Sequence, residues 1–174
     1  MLSNMAFYRR DVTEGRPGTP LALTITIQNT NANCAALANA AVEIWQCDAD
    51  GHYSEYAQGS YNGTGFTYLR GLQVTDANGQ ATFNTIYPGW YQGRATHIHV
   101  QVNVNNRSVK VTQIAFPESV SSQIYASGAY ASRGSNPTTN ASDNVFADGV
   151  SIELASVTAS GSGYLATITF GVPA

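Results

Sequence analysis

Charge is scarce in this sequence: only 11% of the 174 residues are charged, and the formal net charge is −3. Because there is no basic run, neither nucleic acid nor an anionic membrane is an expected partner. No stretch is long and apolar enough to cross a bilayer. Disorder is not expected either, since 43% of the residues are apolar. We therefore predict a single domain over residues 1–174, with an N-terminal arm over residues 1–19.

Cysteine is also scarce, with only Cys34 and Cys47 in the chain. Cys34 lies in a predicted polar turn and Cys47 at the end of a predicted strand, so a disulfide would tie a loop to a strand. We predict this bond, which would stabilise the fold by roughly 3 kcal/mol, although two separate buried thiols are the alternative. A disulfide implies an oxidising compartment. The lysine-poor composition agrees with secretion. Residues 1–5 do not resemble a signal peptide, so we expect the leader of a secreted protein to have been cut away.

Alternation of apolar and polar residues predicts strands along most of the chain. The predicted strands cover residues 21–28, 41–47, 69–75, 80–86, 97–104, 109–116, 149–157 and 163–172. We interpret the turn at 76–79 as a hairpin and expect at most one short helix, at 117–125. The long segments 48–65 and 126–147 are predicted loops. About eight strands separated by turns predict an all-β fold, an antiparallel β-sandwich with long active-site loops.

Two histidines one residue apart, His97 and His99, form an uncommon pair. In a strand they share one face with the polar residues at 101 and 103, while the apolar residues at 98, 100, 102 and 104 face the core. Tyr91 follows a Pro-Gly turn and precedes His97 by six residues, and Tyr53 lies in the loop over 48–65. Two imidazoles and two phenolates would suit ferric iron, because a phenol with a pKa near 10 needs a strong Lewis acid to lose its proton.

Spacing alone leaves other interpretations open for these four residues. The histidines could be ordinary polar residues on a solvated strand face, and each tyrosine could simply cover an edge of the core. The acids Asp48, Asp50 and Glu55 have no evident partner, so we interpret them as turn and surface residues. Arg70 is a candidate partner for a substrate carboxylate, but a salt bridge with an acid such as Asp76 is the favoured interpretation.

A series of motifs in one order resembles the intradiol ring-cleavage dioxygenases, especially their short, single-domain, secreted-type members. The similarity covers residues 20–116 well, and it depends on the segments 41–48, 51–54, 69–76, 85–91 and 94–99. It implies a non-haem Fe(III) held by Tyr53, Tyr91, His97 and His99. It also implies O₂-dependent cleavage of catechol-type aromatics between the two hydroxyl-bearing carbons, which gives cis,cis-muconates.

The same resemblance implies roles for residues beside the metal. Arg94 would hold and polarise the substrate, and Gln113 would lie next to the ligands. Tyr91 would be the ligand that leaves the metal and accepts a substrate proton. The catechol-specific branch of the family carries an N-terminal helical segment for dimerisation. This chain has no room for that segment, so we expect a monomer or weak oligomer. The secreted-type composition and the tyrosine-rich, weakly charged loop over 48–65 lead us to expect a broad range of catechols, including lignin-derived ones.

Two other functions are compatible with the sequence. One is a secreted β-sandwich module that binds sugar or lignin-like rings without turnover, using aromatics such as Tyr53, Tyr56, Tyr61 and Trp90. Such a module would need no metal. The other is a related sandwich that holds a different metal for hydrolysis.

Overall fold

The computed structural model describes residues 4–174. Residues 1–3 lie outside that range. They belong to the segment 1–5, which we predicted not to be a signal peptide. The strands are β1 (Pro20–Asn29), β2 (Ala35–Ala36), β3 (Ala41–Trp45), β4 (Ala57–Gln58), β5 (Tyr61–Asn62), β6 (Arg70–Val74), β7 (Gln80–Ile86), β8 (His97–Val104), β9 (Arg107–Ala115), β10 (Ser156–Ser160) and β11 (Gly163–Val172). The α-helix α1 spans Glu118–Tyr125, and 3-10 turns cover Met5–Phe7, Thr30–Ala32, Gly128–Tyr130, Asn144–Phe146 and Val150–Ile152. No helix within residues 4–174 has the length and apolar character needed to span a membrane.

The strands form two main sheets, and the predicted β-sandwich is confirmed. The first sheet has the order β10-β11-β1, with β2 and β7 sharing the other edge of β1. The second sheet has the order β6-β3-β8-β9 and is antiparallel throughout. One pairing differs from the antiparallel prediction, because β1 and β11 run parallel over their whole length. The strands β4 and β5 form a small separate hairpin.

The core lies between the two sheets, where the alternating residues of the long strands meet. Strand β1 buries every second side chain, from Leu21 to Ile27, and β8 buries Ile98, Val100 and Val102. These residues belong to one apolar cluster. Each fully buried aliphatic side chain contributes about 1.5–3 kcal/mol relative to an exposed one. Burial of these alternate positions therefore turns the opposite face of β8, with both histidines, away from the core.

The predicted hairpin at 76–79 is wrong, although the turn itself forms. Gly79 N–H donates to Asp76 O at 3.0 Å, and Gly79 has a φ of +73°. However, β6 pairs with β3 while β7 pairs with β1, so the turn joins strands of different sheets. Ile27 N–H donates to Gly79 O at 2.8 Å, and a Cβ on Gly79 would lie 2.5 Å from Ile27 O. This close backbone contact directs the chain after the turn to β1 instead of back to β6.

The predicted strand over 149–157 is also wrong in its first half. Residues Val150–Ile152 form a 3-10 turn, and β10 begins only at Ser156. Between them, Ala115 N–H donates to Glu153 O at 2.8 Å and Ala155 N–H donates to Ala115 O at 2.9 Å. The segment therefore pairs briefly with the end of β9 in the second sheet before the chain crosses to β10 in the first. The predicted hairpin between the last two strands is confirmed, with Ser160 opposite Gly163.

The predicted disulfide does not form: Cys34 is exposed, Cys47 is buried, and both are free. Cys34 lies directly before β2, on the side of the chain that leads to the start of β3, and Cys47 lies two residues beyond the end of β3. A five-residue strand spans about 16 Å, whereas the Cα atoms of a disulfide are at most about 7 Å apart. Burial raises the pKa of the Cys47 thiol to about 12.

Candidate active site and metal centre

Strand β8 places both histidines on one face, and its neighbours fix their surroundings. His99 lies opposite Trp45 on β3 and opposite Gln113 on β9. The Trp45 and His99 rings stack with centroids 4.8 Å apart and an interplanar angle of 1°. His97 is only 2% exposed. The face of β8 that carries the histidines is therefore covered by loops. The alternative interpretation, a solvated strand face, is wrong for His97.

The four predicted metal ligands converge on one point. Tyr53 Oη lies 3.3 Å from His97 Nε2, while Tyr91 Oη and His99 Nε2 each lie 3.2 Å from it. One imidazole nitrogen offers a single lone pair or a single proton, so it cannot satisfy three polar neighbours by hydrogen bonding. Two atoms bound to one ion at about 2.0–2.1 Å lie roughly 3.3 Å apart at a tetrahedral angle. The donor set therefore fits a bound metal ion.

The tautomer and charge of the histidines suit metal binding. His97 Nδ1 lies 2.6 Å from Ala95 O, so this nitrogen carries the proton and Nε2 presents its lone pair to the cluster. Burial is the main reason that the pKa of His97 falls to about 4. Burial, together with the neighbouring His97, lowers the pKa of His99 to about 3. Both imidazoles are neutral at pH 7, which is the form that binds a metal.

The pKa values of the two tyrosines are shifted upward, so these side chains favour the neutral, protonated form. Burial raises the pKa of Tyr53 well above its usual value near 10. Burial also raises the pKa of Tyr91, although Arg94 opposes this rise. Tyr53 is 5% exposed, whereas Tyr91 is only half-buried. Since both phenols hold their protons firmly, only a strongly Lewis-acidic cation at this point would make them phenolates at neutral pH.

Arg94 lies beside the cluster at Tyr91, and Gln113 lies next to Arg94. Arg94 Nη1 lies 3.4 Å from Tyr91 Oη, and Arg94 Nη2 donates to Gln113 Oε1. The guanidinium is also held by Asp143, whose Oδ2 accepts from Arg94 Nε at 2.9 Å. Asp143 was missed by the sequence prediction, because the loop over 126–147 shows no periodicity. The available local signal is that of a cap, since Asp143 accepts a hydrogen bond from Val145 N–H at the start of the 3-10 turn over 144–146.

A pocket of about 510 Å³ opens in front of the cluster. This volume is in the range of small-molecule sites. Its wall consists of Trp45, Tyr53, Tyr56, Ala57, Gln58, Tyr91 and His99. None of these seven side chains carries a full charge at neutral pH, and most are aromatic. The pocket therefore suits a flat, weakly charged aromatic molecule that can reach the ligand atoms.

The predicted salt bridge between Arg70 and Asp76 is wrong, because Ser54 holds the Arg70 side chain instead. The side chain is buried, and Nε and Nη2 donate to Ser54 Oγ and Ser54 O at 2.9 and 2.8 Å. The guanidinium lies 4.8 Å from the centre of the Tyr56 ring. Arg70 thus holds the loop that carries Tyr53, because Ser54 follows directly in sequence.

The acidic residues of the same loop act mainly in its turns. Asp48 Oδ1 accepts from the backbone N–H of Asp50 at 3.0 Å and of His52 at 2.9 Å. Asp48 is a turn residue as predicted, but at 4% exposed it is not a surface residue. Asp50 and Glu55 are exposed, as predicted. Ligand atoms of Asp48, Asp50 and His52 lie within 4.8 Å of one another, yet the Asp48 oxygen already satisfies two backbone donors.

The aromatics proposed for a binding module do not form one platform. Tyr61 stacks on His52 with centroids 4.1 Å apart and shares a hydrogen bond of 2.6 Å with Tyr68. Trp90 packs against Arg133 and donates to Gly134 O at 3.0 Å. Tyr61 and Trp90 therefore have structural partners of their own and do not line the pocket that contains Tyr53 and Tyr56.

Comparison with known proteins identifies the family. Residues 4–133 match the family described as "Dioxygenase". The structure is similar to that of an intradiol ring-cleavage dioxygenase from Tetranychus urticae, with a TM-score of 0.88 and 28% identity over 96% of this chain and 87% of that one. It is also similar to the dioxygenase domain of a dioxygenase carbohydrate-binding protein fusion from Streptomyces sp. SirexAA-E. There the TM-score is 0.69 and the identity 30%, over 95% of this chain and 88% of that one.

A curated relative agrees with this assignment over a shorter stretch. The chain is 32% identical over 103 residues to a catechol 1,2-dioxygenase from Candida albicans. The match covers 49% of this chain and 33% of that protein, so it spans about a third of the relative's length. The family match covers well over half of the chain, and the similar structures cover nearly all of it. Together with the geometry of the site, these matches show that the chain belongs to the intradiol ring-cleavage dioxygenase family.

Proposed function

We propose that the protein is a non-haem Fe(III)-dependent dioxygenase that uses O₂ to cleave catechol-type aromatics between their two hydroxyl-bearing carbons, giving cis,cis-muconates. The observation that carries this proposal is the convergence of Tyr53 Oη, Tyr91 Oη and His99 Nε2 on His97 Nε2. Two phenols and two neutral imidazoles form a hard ligand set, which favours ferric iron over zinc. The relative from Candida albicans, named for catechol, supports this substrate class.

Bound ferric iron would supply the Lewis acidity that keeps its tyrosine ligands ionised and makes a bound catecholate reactive toward O₂. Tyr53 and His97 are the most buried of the four ligands, and they would anchor the ion from the protein side. Tyr91 is half-buried, faces the pocket and lies next to Arg94. Its Oη is therefore the atom best placed to accept a proton from an incoming catechol.

Arg94 and Gln113 serve the substrate end of the site. The Arg94 guanidinium lies within hydrogen-bonding distance of Tyr91 Oη and is 18% exposed, so its charge faces the cluster from the side. Fixed donors of this kind stabilise negative charge that develops on a substrate during reaction. The aromatic wall, which includes Trp45 and Tyr56, offers apolar surface to the catechol ring and keeps water from it.

The uncharged, roomy pocket supports our proposal of a broad substrate range. Ser54 holds Nε and Nη2 of Arg70, and Arg70 does not line the pocket, so we propose no dedicated partner for a ring carboxylate. We expect comparable steady-state rates on catechol, 4-methylcatechol and hydroxyquinol, with protocatechuate slower. A preference for one of these compounds by several orders of magnitude would contradict the proposed breadth.

Two further proposals concern the whole chain. The proposal that the protein is secreted is supported only by the lysine-poor composition, because the predicted disulfide, which also supported it, does not form. The proposal of a single domain is supported by the apolar core that the two sheets share, and a monomer or weak oligomer stays a prediction. Light scattering coupled to gel filtration tests the oligomeric state.

The visible spectrum of the iron-loaded protein, recorded under nitrogen before and after addition of catechol, tests the metal and the substrate together. Phenolate ligands should give a red-brown charge-transfer band, and catechol should shift it. Tyr61→Phe is a matched control, since Tyr61 lies near the site but does not line the pocket. A protein that stays colourless after loading with ferric iron contradicts the proposed function.

A further inference from the structure

Asp143 is almost completely buried beside Arg94, although it belongs to a long polar loop. The exposed fractions of the two side chains are 1% for Asp143 and 18% for Arg94. Asp143 Oδ2 accepts from Arg94 Nε at 2.9 Å and from the backbone N–H of Ala95 at 2.8 Å, and Asp143 Oδ1 accepts from Val145 N–H at 2.9 Å. Each carboxylate oxygen therefore has a defined donor, and two of the donors belong to consecutive residues of the Tyr91–His97 segment.

The hydrogen bonds of Arg94 divide its guanidinium into two sides. Asp143 takes the Nε edge, while Nη1 and Nη2 point to Tyr91 Oη and Gln113 Oε1. An arginine side chain has several rotatable bonds, and the cost of fixing them is part of the cost of placing its charge. Because the guanidinium is planar and rigid, a fixed Nε edge also fixes the direction of the other two nitrogens. Asp143 thus contacts the guanidinium at an edge that faces neither Tyr91 nor Gln113.

The loop that carries Asp143 is itself anchored on several sides. Asn136 Nδ2 donates to Arg94 O at 3.0 Å, and Asn140 Nδ2 donates to Phe116 O at 2.9 Å. Asn140 N–H also donates to Glu118 Oε1 at 2.7 Å. These contacts hold the loop against α1 and the start of β8. Asp143 therefore sits on a supported backbone, as a residue that orients another side chain must.

We propose that Asp143 is a positioning residue that orients Arg94 toward Tyr91 and Gln113, and that its negative charge neutralises the guanidinium inside the site. The inference rests on the proposed function, because the orientation matters for catalysis only if Tyr91 and Arg94 serve the substrate. Partners that orient a residue at a metal site typically contribute 10–100-fold to activity or metal affinity. Hydrogen bonds from Val145, Ala95 and Arg94 lower the pKa of Asp143 against the opposing effect of burial, so the residue is a carboxylate at neutral pH.

A double-mutant cycle between Asp143→Asn and Arg94→Lys tests the proposal in the iron-loaded protein. We expect Asp143→Asn to lower kcat on catechol about 10–100-fold while iron content and the charge-transfer band are retained. In the Arg94→Lys background the same change should lower kcat by less than about threefold, since the guanidinium edge that Asp143 orients is already gone.

Glu118→Gln is the matched control, because Glu118 holds the same loop through Asn140 N–H but does not contact Arg94. Its kcat should stay within about twofold of the parent protein.

Two outcomes of the cycle would overturn the proposal. One is an Asp143→Asn protein whose kcat is within twofold of the parent. The other is an equal loss from Asp143→Asn with arginine or with lysine at position 94, which would mean that Asp143 acts only through the fold.

Nuclear magnetic resonance of the metal-free protein separates this proposal from the proposed function. The Arg94 Nε–H signal, identified by its absence in Arg94→Lys, should exchange slowly with water in the parent protein and quickly in Asp143→Asn. If the parent protein binds iron but does not cleave any catechol, the proposed function fails, and slow exchange still supports the positioning of Arg94. If the parent signal exchanges as fast as those of exposed arginines, the positioning proposal is overturned, whether or not Asp143→Asn folds.

Discussion

Two long loops contribute to the candidate active site in different ways. The loop between β3 and β6 carries Tyr53 into the ligand cluster, where its Oη lies 3.3 Å from His97 Nε2. The loop between α1 and β10 does not reach the cluster, but it places Asp143 against Arg94 from behind. The first loop offers a ligand and the second offers support. If the four converging residues bind the metal, a polar, aperiodic segment serves this site without carrying any of its ligands.

The largest effect is expected from His97→Ala, which removes the nitrogen on which the other three ligand atoms converge. Loss of a ligand should exceed the 10–100-fold cost of losing an outer partner, so we expect more than about a hundredfold loss of activity. Iron bound per protein and the visible band measure the change directly. Gln101→Ala is a suitable control, because Gln101 lies on the same face of β8 and bonds to Asn103, away from the cluster. Equal iron content in both variants would argue against the metal site.

The next largest effects are expected from Tyr53→Phe and Tyr91→Phe, which should differ in whether they lose iron or activity. Tyr53 is buried and Tyr91 half-buried, so we expect Tyr53→Phe to lose most of the iron and Tyr91→Phe to retain it. Because Tyr91 is proposed to accept a substrate proton, its phenylalanine variant should instead lose roughly 10²–10⁴-fold in kcat. Iron analysis and single-turnover rates on catechol distinguish the two losses. The same loss pattern in both variants would remove the distinction between an anchoring and a proton-accepting tyrosine.

The regular strands were predictable from the sequence for a physical reason, because alternate burial on β1 and β8 requires alternate apolar residues. The four candidate ligands left no such pattern, and only the resemblance to a family pointed to them as a set. The pairing of β7 with β1 after the 76–79 turn was not predictable. The contact between Ile27 and Gly79 that accompanies it is made by backbone atoms of distant segments. The role of Asp143 was not predictable for a similar reason. Many loop aspartates cap a turn, and only the folded chain brings this one to Arg94.

A moderate effect on stability is expected from removal of the support of the first loop. Arg70→Ala would leave buried Ser54 O without its donor and remove the stacking on Tyr56. An unsatisfied buried carbonyl costs about 1–3 kcal/mol, so the free energy of unfolding should fall by that amount. Urea unfolding of the metal-free protein measures it. Arg107→Ala, at the exposed start of β9, should change the free energy of unfolding by less than about 0.5 kcal/mol. A similar result for both variants would mean that Arg70 does not support the loop.

The smallest expected effect concerns substrate charge and tests the support offered by the second loop. In the parent protein the Arg94–Asp143 pair has no net charge, and the pocket residues other than the tyrosine ligands Tyr53 and Tyr91 carry none. Asp143→Asn leaves one positive charge near the pocket, which should favour an anionic ring substituent. Interactions of partly exposed charges are worth up to about 1 kcal/mol, so the ratio of kcat/KM for protocatechuate to that for catechol should rise by up to about fivefold. The increase should shrink at high salt, because the charge is screened there. A ratio that stays constant while kcat falls on both substrates would show that Asp143 orients Arg94 without setting the charge of the site.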